Sequence, residues 1–291
     1  MTGRDFFIFM LCCLFWGGNF VATAWVVGSN PVPPFMLAAM RAAFVLLLMG
    51  VFLFRPLPKA FGRLLLVGLF VGPAHLGLLY TALQSAPASA ASIISQSLIP
   101  VSTILSVLFL KERIGWVRAG AITVSLIGVL IMVYEPGALR FDMAMILLFF
   151  AYVALAIGSV LMRTVPRVDW RQYVAWTAVL VFGLSLGATL FFETGHAEVW
   201  ALAGWKLVAV ALYAAVLVSV FAHGQYFRLL QTYEVSQVVP LSLVTTVWAC
   251  LLGVLLLGET LYVRYLIGAA LILPCVWIIA RRGTIPPVQE D

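Results

Sequence analysis

Arg41 is a charged side chain inside a long apolar stretch of the sequence. It lies seven residues after Pro34, which at 1.5 Å per residue is about 10 Å into a helix that starts there. A guanidinium group matches a carboxylate through two parallel hydrogen bonds, so Arg41 is a candidate for holding the carboxylate of a solute. The alternative is that its long side chain reaches lipid headgroups or bonds helix carbonyls.

Two histidines, His75 and His223, lie in apolar stretches 148 residues apart, and each is followed on its own helix by a tyrosine, Tyr80 or Tyr226. One interpretation is a polar, aromatic-lined path that binds or gates a solute. The other is that each histidine is bonded to a neighbouring helix and only holds the helices together. No cysteine or carboxylate stands at metal-ligand spacing from either histidine, so we expect no metal site.

Polar residues recur at helical spacing in two further stretches. Cys12, Trp16, Asn19 and Thr23 fall on one face of the first, and Ser89, Ser92, Gln96, Thr103 and Ser106 on one face of another. Such faces either line a cavity or pack closely against another helix. The candidate binding residues are therefore Trp16, Asn19, Arg41, His75, Tyr80, Gln96, His223 and Tyr226.

Carboxylates are missing from the middle of every apolar stretch: all 11 Asp and Glu residues fall at the termini, in loops or at helix ends. Proton- and cation-coupled carriers commonly place an acid at mid-membrane depth. We therefore expect either proton coupling through His75 or His223, or transport driven by the solute gradient alone. A neutral or zwitterionic solute fits this pattern better than a strongly cationic one.

The composition of the 291 residues is that of a membrane protein, since 64% are hydrophobic, 10% are charged and the mean hydropathy is +1.12. Soluble domains are about 45–50% apolar and about 25% charged. A soluble enzyme, a disordered chain and a secreted disulfide scaffold are excluded. The net charge of +6 is typical of arginine-rich cytoplasmic loops, not of nucleic-acid binding. The four cysteines lie in apolar runs and are predicted to be reduced packing residues.

Ten apolar segments must position these side chains, because a membrane-spanning helix needs about 20 apolar residues. The fold class predicted is an all-α integral membrane protein with ten transmembrane helices. Their ranges are 6–27, 34–54, 61–84, 88–110, 115–134, 143–163, 171–192, 205–231, 236–257 and 261–281.

Loop charges predict the orientation of these helices. Most of the 17 lysines and arginines fall on the side of the N-terminus, including Arg55, Lys59, Lys111, Arg113 and Arg163. Because cytoplasmic loops carry the excess of basic residues, both termini are predicted to be cytoplasmic.

The two halves of the chain resemble each other. Leu83-Gln84 and Leu230-Gln231 are 147 residues apart, and Glu112 and Glu259 keep the same spacing. Each half holds five spans, and an odd number places the second copy upside down relative to the first. We predict two inverted five-helix repeats, residues 1–135 and 143–283, with a flexible tail at 284–291. In such proteins the binding site lies near the bilayer midplane, where the repeats meet.

Five segments carry a resemblance to a known family: "FWGGNFV" at 15–21, "PFMLAAMR" at 34–41, "SAPASAASIISQSLIPV" at 85–101, "FLKERIGWVRAGAITVSLIGV" at 109–129 and "LLLGET" at 255–260. The sequence resembles the EamA-type branch of the drug/metabolite transporter superfamily over nearly its whole length. The resemblance implies ten helices, alternating access and export of small metabolites, often amino acids. One departure is Thr246-Val247, where that family often has Pro-Val.

The expected function is a secondary transporter in a bacterial inner membrane that exports small neutral or zwitterionic metabolites, most of all apolar or aromatic amino acids. The alternatives are a multidrug or other metabolite carrier, and a channel-like pore. No catalytic motif or phosphate-binding loop is present, so an enzyme and a nucleotide cofactor are not expected. The expected partners are a small-molecule substrate and the lipid bilayer, without nucleic acid. Because one chain holds both repeats, a functional monomer is expected.

Overall fold

The structure is a computed structural model that describes residues 2–28, 32–110, 115–135, 140–162, 164–166, 168–232 and 239–281. Its first half consists of α1 (Gly3–Gly28), α2 (Pro34–Met49), a 3-10 segment (Gly50–Phe54), α3 (Phe61–Leu69), a π-helical segment (Phe70–Ala74), α4 (His75–Ala82), α5 (Ala88–Ser95), α6 (Leu98–Leu110) and α7 (Trp116–Val133).

The second half follows a two-residue antiparallel pair, β1 (Tyr134–Glu135) and β2 (Arg140–Phe141), in which Tyr134 pairs with Phe141. It consists of α8 (Met143–Met162), α9 (Trp170–Phe192), α10 (His196–Tyr213), a π-helical segment (Ala214–Ala222), α11 (His223–Thr232), a 3-10 segment (Val239–Leu243), α12 (Val244–Leu257) and α13 (Val263–Arg281).

Most of these helices have the length and composition of membrane spans. In the described parts of the chain, seven helices are long and apolar enough to cross a membrane, and three apolar helices are shorter: Trp116–Met132, Leu241–Leu257 and Val263–Ile278. Large apolar side chains such as Phe54, Leu47 and Phe191 lie on the outside of the bundle. An outer surface of this kind is solvated by lipid, so the predicted all-helical membrane class is confirmed.

Three predicted spans are interrupted in the structure, and one of them, 205–231, contains the π-helical segment Ala214–Ala222. The segment 61–84 contains the π-helical turn with Pro73, since proline removes a backbone donor and the wider turn absorbs the loss. The segment 88–110 breaks at Gln96 and Ser97, before Pro100. The span predicted from 205 begins earlier, at His196, directly after Gly195, whose φ of 80° few other residues adopt.

Glycines spaced four residues apart, Gly68 with Gly72 and Gly183 with Gly187, predict close helix packing, and the structure shows it only for the first pair. A Cβ atom at Gly68 would lie 2.9 Å from Leu180, and one at Gly72 would lie 2.7 Å from Val181, so these glycines let the helices approach. Gly183 and Gly187 share the spacing, yet no described atom lies within 4 Å of a Cβ built there. For the second pair the prediction of a helix contact is wrong.

The helices of the two halves pack against each other throughout. α2 packs along α9, α7 along α13, and α5 against α12. In addition, α1 packs on α12, and α8 packs on α5 and α6. The helix α4 packs on α8, and α1 packs on α11 and on the π-helical segment before α11. The bundle interior is therefore built from both sequence halves.

Acidic side chains lie at helix ends, as the sequence predicts. Glu193 accepts hydrogen bonds from the N–H groups at the start of α2, Glu259 from those of α5, Asp142 from those of α8 and Asp169 from that of Arg171 in α9. Carboxylates at helix N-termini satisfy backbone donors that have no partner within the helix. These contacts define two opposite ends of the bundle.

We call one of them the Glu259 end; it contains Gly28, Pro34, Glu193 and Glu259. The other is the Arg55 end, where Arg55 pairs with Asp169 and Gln172 donates to the backbone oxygens of Arg55 and Pro56. The Arg55 end is also where Arg63 donates to the Thr164 carbonyl at 3.0 Å.

Candidate functional site

The guanidinium of Arg41 is buried in the bundle, with 8% of the residue exposed. Its Nη1 donates to the Tyr80 hydroxyl at 2.7 Å, and its Nη2 and Nε donate to the Ser219 hydroxyl at 2.9 and 3.3 Å. The Ser219 O–H in turn donates to the Ala214 carbonyl at 3.0 Å. Arg41 is thus held by hydroxyl groups inside the bundle instead of reaching lipid headgroups.

The three hydrogen bonds of Arg41 use three of its N–H donors. Ser219 takes up the edge formed by Nε and Nη2, and Tyr80 takes one hydrogen of Nη1. Because a guanidinium has five N–H donors, one hydrogen each on Nη1 and Nη2 remains beyond these three bonds. Unused donors of a guanidinium can bind a carboxylate.

His75 and His223 occupy matching places in the two halves. Each is the first residue of an α-helix that follows a π-helical segment, Phe70–Ala74 before His75 and Ala214–Ala222 before His223. π-helical turns are rare and frequent at functional sites. Sequence spacing revealed the pair of histidines but not the wide turns that precede them.

The His75 ring bridges to α8. Its Nδ1 lies 3.0 Å from the Ala151 carbonyl, and its ring centroid is 5.1 Å from that of Tyr152. Because a carbonyl oxygen only accepts, Nδ1 carries the hydrogen, and in the neutral tautomer with this hydrogen Nε2 is an acceptor. The predicted bond to a neighbouring helix is present, and the ring keeps one atom for another partner.

Three of the candidate residues form an aromatic cluster. The Trp16 ring centroid lies 5.4 Å from that of Tyr226 and 5.6 Å from that of His223, and Phe9 lies 6.2 Å from both Trp16 and Tyr226. The Trp16 Nε1 is buried without a hydrogen-bond partner. The cluster offers apolar faces and one unused donor to a bound group.

Asn19 and Gln96 differ in how their amides are used. Gln96 Nε2 donates to the Thr246 hydroxyl at 3.1 Å, and that hydroxyl donates to the Ser92 carbonyl at 3.2 Å, so this amide joins α5 to α12. Asn19 is 8% exposed, and no residue in the described part of the chain bonds its Oδ1. A buried acceptor without a donor costs about 1–3 kcal/mol. The Asn19 side chain therefore keeps a hydrogen-bond acceptor for a bound group, whereas the Gln96 side chain bonds two helices to each other.

The eight candidates fall into linked groups. Arg41 bonds Tyr80; Trp16, His223 and Tyr226 are in ring contact. Asn19 shares the α1 face with Trp16, and Gln96 lies on α5, which like α1 packs on α12. None of the eight candidates lines either of the two cavities described below.

Sequence reasoning missed Ser219. It lies four residues before His223 on the same helical run, a spacing that places two side chains near each other and could have drawn attention to it. Thr246 was noticed only for the absence of a proline, and the structure gives it a hydrogen-bonding role instead.

Two cavities of about 410 Å³ each were found elsewhere. The first is at the Glu259 end, lined by Val27, Val32, Pro33, Pro34, Phe35, Thr81, Gln84, Phe192, Glu193 and Thr194. The second opens on the side of the bundle, lined by Gly18, Val21, Ala22, Trp25, Tyr213, Leu252, Leu256 and Leu257. Neither lining includes any of the eight candidates.

The described residues contain no group of three or more His, Cys, Asp and Glu side chains that could hold a metal ion. No disulfide joins the four cysteines, all of which lie among the described residues, and Cys12, Cys13 and Cys275 are buried. Several residues used for the repeat and the orientation lie outside the described residues: Lys111, Glu112, Arg113, Arg163, Arg167, Arg282 and the tail 284–291.

The chain is similar to two bacterial proteins named as probable efflux pumps and to one plant protein. It is 29% identical to a "Probable amino-acid metabolite efflux pump" of Salmonella typhimurium over 96% of this chain and 95% of the relative. It is 26% identical to the protein of that name in Escherichia coli, with the same coverage. A WAT1-related chloroplastic protein of Arabidopsis thaliana is 25% identical over 91% of this chain and 66% of its own.

A solved crystal structure of a protein has the same fold, with a TM-score of 0.56 at 20% identity over 97% of this chain and 99% of that one. The pattern of the EamA-like transporter family matches residues 5–134 and again residues 142–281. This match confirms the predicted resemblance. The family consists of transporters and not of enzymes. The chain belongs to the EamA-like transporter family.

Proposed function

We propose that this transporter exports small neutral or zwitterionic metabolites, amino acids with apolar or aromatic side chains foremost, by alternating access. The observation that carries the proposal is the buried Arg41, whose remaining N–H groups face no carboxylate among the described ion pairs. A buried cation without a protein anion favours an anionic group on the substrate. The names of the bacterial relatives agree with amino-acid metabolites as substrates.

The ammonium group and the side chain of an amino acid also have matching groups in this region. The unfilled Oδ1 of Asn19 is an acceptor for an ammonium group, and the faces of Trp16 and Tyr226 attract a cation or pack against an apolar side chain. The neutral His75 keeps Nε2 as a further acceptor. We propose that Trp16, Asn19, Arg41, His75, Tyr80, His223 and Tyr226 contact substrate, and that Gln96 shapes the site through α5.

We propose that the chain forms ten transmembrane helices as two inverted repeats, residues 1–135 and 143–283, followed by the tail 284–291. The helix contacts support this arrangement. If α1 corresponds to α8, α2 to α9, α3–α4 to α10–α11, α5–α6 to α12 and α7 to α13, then the contacts α2–α9, α7–α13 and α5–α12 map onto themselves, and the contact of α1 with α12 maps onto that of α8 with α5 and α6. Such an exchange is what a two-fold relation between the halves produces. One chain holds both halves, so we propose that a monomer transports.

The loop charges give the orientation we propose. The Arg55 end carries the basic residues Arg55, Lys59 and Arg63 and faces the cytoplasm with both termini. The Glu259 end then faces outward. We place the protein in the bacterial inner membrane.

Uptake into liposomes tests the proposed substrate. Purified protein is reconstituted, and entry of radiolabelled phenylalanine, leucine, glycine and lysine is measured against protein-free liposomes. To test the role of Arg41, phenylethylamine, which lacks the carboxylate, and phenylpropionate, which lacks the ammonium, compete with labelled phenylalanine. We expect competition by amino acids and far weaker competition by phenylethylamine. If folded protein moves no amino acid, the substrate proposal is rejected, and ionic conductance in planar bilayers would favour a pore.

A further inference from the structure

Glu259 connects the second half of the chain to the start of α5. Its Oε1 accepts the N–H of Ala88 at 2.5 Å and its Oε2 accepts the N–H of Ser89 at 3.0 Å. Both bonds are charge-assisted and lie at the positive end of a helix dipole, which makes them stronger than bonds between neutral groups. We call this pair of hydrogen bonds the α5 latch.

The sequence that follows α12 is built to place this carboxylate. α12 ends at Gly258, whose φ of 65° turns the chain back, and the N–H of Glu259 then bonds the Gly253 carbonyl at 3.2 Å. A Cβ atom at Gly253 would lie 2.6 Å from Glu259 Oε2. The carboxylate therefore occupies space that only a glycine at 253 leaves free.

α5 is a separate short helix, held at both ends by α12. It has eight residues and ends at Gln96, where the chain makes a turn before α6. At that end Gln96 and the Ser92 carbonyl bond the Thr246 hydroxyl. A helix this short, broken from α6 and followed by Pro100, can tilt without moving the rest of the span.

The segment before α5 also packs against the end of α1. A Cβ atom at Gly28 would lie 3.4 Å from the Leu83 carbonyl oxygen and 3.3 Å from that of Gln84, so the end of α1 lies directly against the chain that leads into α5. To expose the interior at this end, α5 and this segment must separate from α1 and α12.

We propose that Glu259 is the positioning residue that keeps the Glu259 end closed, and that the α5 latch breaks when this end opens. The inference rests on the proposed alternating access but not on which substrate is carried. When the latch breaks, water takes the place of the carboxylate on the N–H groups of Ala88 and Ser89. The residue acts through α5 and does not touch substrate.

Glu193 supplies a matched control. It too accepts two backbone N–H bonds from the first half at the Glu259 end, from Phe35 at 2.9 Å and from Met36 at 3.1 Å. Its helix, α2, has 16 residues, continues into a 3-10 segment and packs along α9. Loss of this carboxylate is therefore expected to lower stability without freeing a short helix.

The test is thiol labelling from outside. Ala91 of α5 is fully buried, so Ala91→Cys is introduced into protein whose four native cysteines are replaced, and right-side-out vesicles are treated with a membrane-impermeant maleimide. We expect Glu259→Gln to raise the labelling rate about tenfold, as loss of two charge-assisted bonds implies. We expect Glu193→Gln to leave the rate within about twofold of the parent, although it removes a similar pair of bonds.

A second variant guards against poor folding of Glu259→Gln. Gly253→Ala keeps the carboxylate but fills its space, so it displaces the latch and is also expected to speed labelling. The labelling rate is compared with that of the parent for whichever of the two variants elutes as a monodisperse peak in detergent. The inference is overturned if the scored variant labels at the parent rate, or if Glu193→Gln speeds labelling equally. Because labelling uses no substrate, failure of amino-acid uptake alone would reject the substrate proposal and leave this result unaffected.

Discussion

The Ser219 hydroxyl accepts two hydrogen bonds from the Arg41 guanidinium, so a residue of the second half fixes the buried cation of the first. Ser219 lies in the π-helical segment and donates its own hydrogen to the Ala214 carbonyl five residues earlier. The wide turn brings this hydroxyl to Arg41, and the orientation of the guanidinium depends on it.

Ser219→Ala is expected to weaken substrate binding. It leaves two N–H groups of a buried guanidinium without their acceptor, a loss of about 1–3 kcal/mol. We expect the KM for phenylalanine uptake to rise roughly 5- to 150-fold, the range that this energy corresponds to. Ser219→Thr, which keeps the hydroxyl, should restore most of the affinity.

Ser159→Ala is the control for this experiment, because that exposed serine bonds only the Leu155 carbonyl of its own helix. An equal KM for Ser219→Ala and the parent would show that Ser219 does not orient Arg41 for binding.

Arg41→Lys should lose carboxylate recognition although it keeps the charge. An ammonium group cannot bond Tyr80 and Ser219 and still present two parallel donors to a carboxylate. We expect uptake of amino acids to fall at least about tenfold, which is about 1.4 kcal/mol. Competition by phenylethylamine should change little. If Arg41→Lys lowered amino-acid uptake and competition by phenylethylamine equally, Arg41 would stabilise the fold and would not recognise the carboxylate.

Gln96 and Thr246 should be coupled in stability. Each of Gln96→Leu and Thr246→Val removes the same inter-helix bond, so the double variant should lose less than the sum of the two single variants. We expect a coupling of about 0.5–1.5 kcal/mol in unfolding free energy, measured by denaturant titration in detergent micelles. Strict additivity would contradict the bond.

Gly72 and Gly187 should differ in their tolerance of a larger side chain. A Cβ atom at Gly72 would meet Val181 at 2.7 Å, whereas Gly187 has no described atom within 4 Å. Gly72→Leu is expected to cost about 1–3 kcal/mol through overpacking of α9 against the π-helical segment. Gly187→Leu should leave the thermal midpoint nearly unchanged. A larger loss at Gly187 would contradict the packing of α9 described above.

The sequence predicts the parts of this fold that depend on local chemistry. Apolar length identified the helices, and the rarity of buried charge drew attention to Arg41. The acids at helix ends were also foreseen, since their polarity excludes them from lipid.

The remaining features depend on contacts between residues far apart in the chain. Ser219 is 178 positions from Arg41, and Gln96 is 150 from Thr246, so neither pair leaves a mark in local spacing. The same holds for Gly183 and Gly187, whose spacing matches that of Gly68 and Gly72 but whose face meets no helix in the described structure. Residue type and helical spacing show which faces of a helix are polar, apolar or small. Which residues those faces contact depends on tertiary packing.

Counterflow in liposomes tests the proposed carrier mechanism most directly. Liposomes are preloaded with unlabelled phenylalanine, and entry of external labelled phenylalanine is compared with entry into empty liposomes. Alternating access around one site predicts faster initial uptake and a transient accumulation of label above the external concentration in the preloaded liposomes. Uptake that is no faster with internal phenylalanine, and that never exceeds equilibrium, would contradict a carrier and indicate a pore.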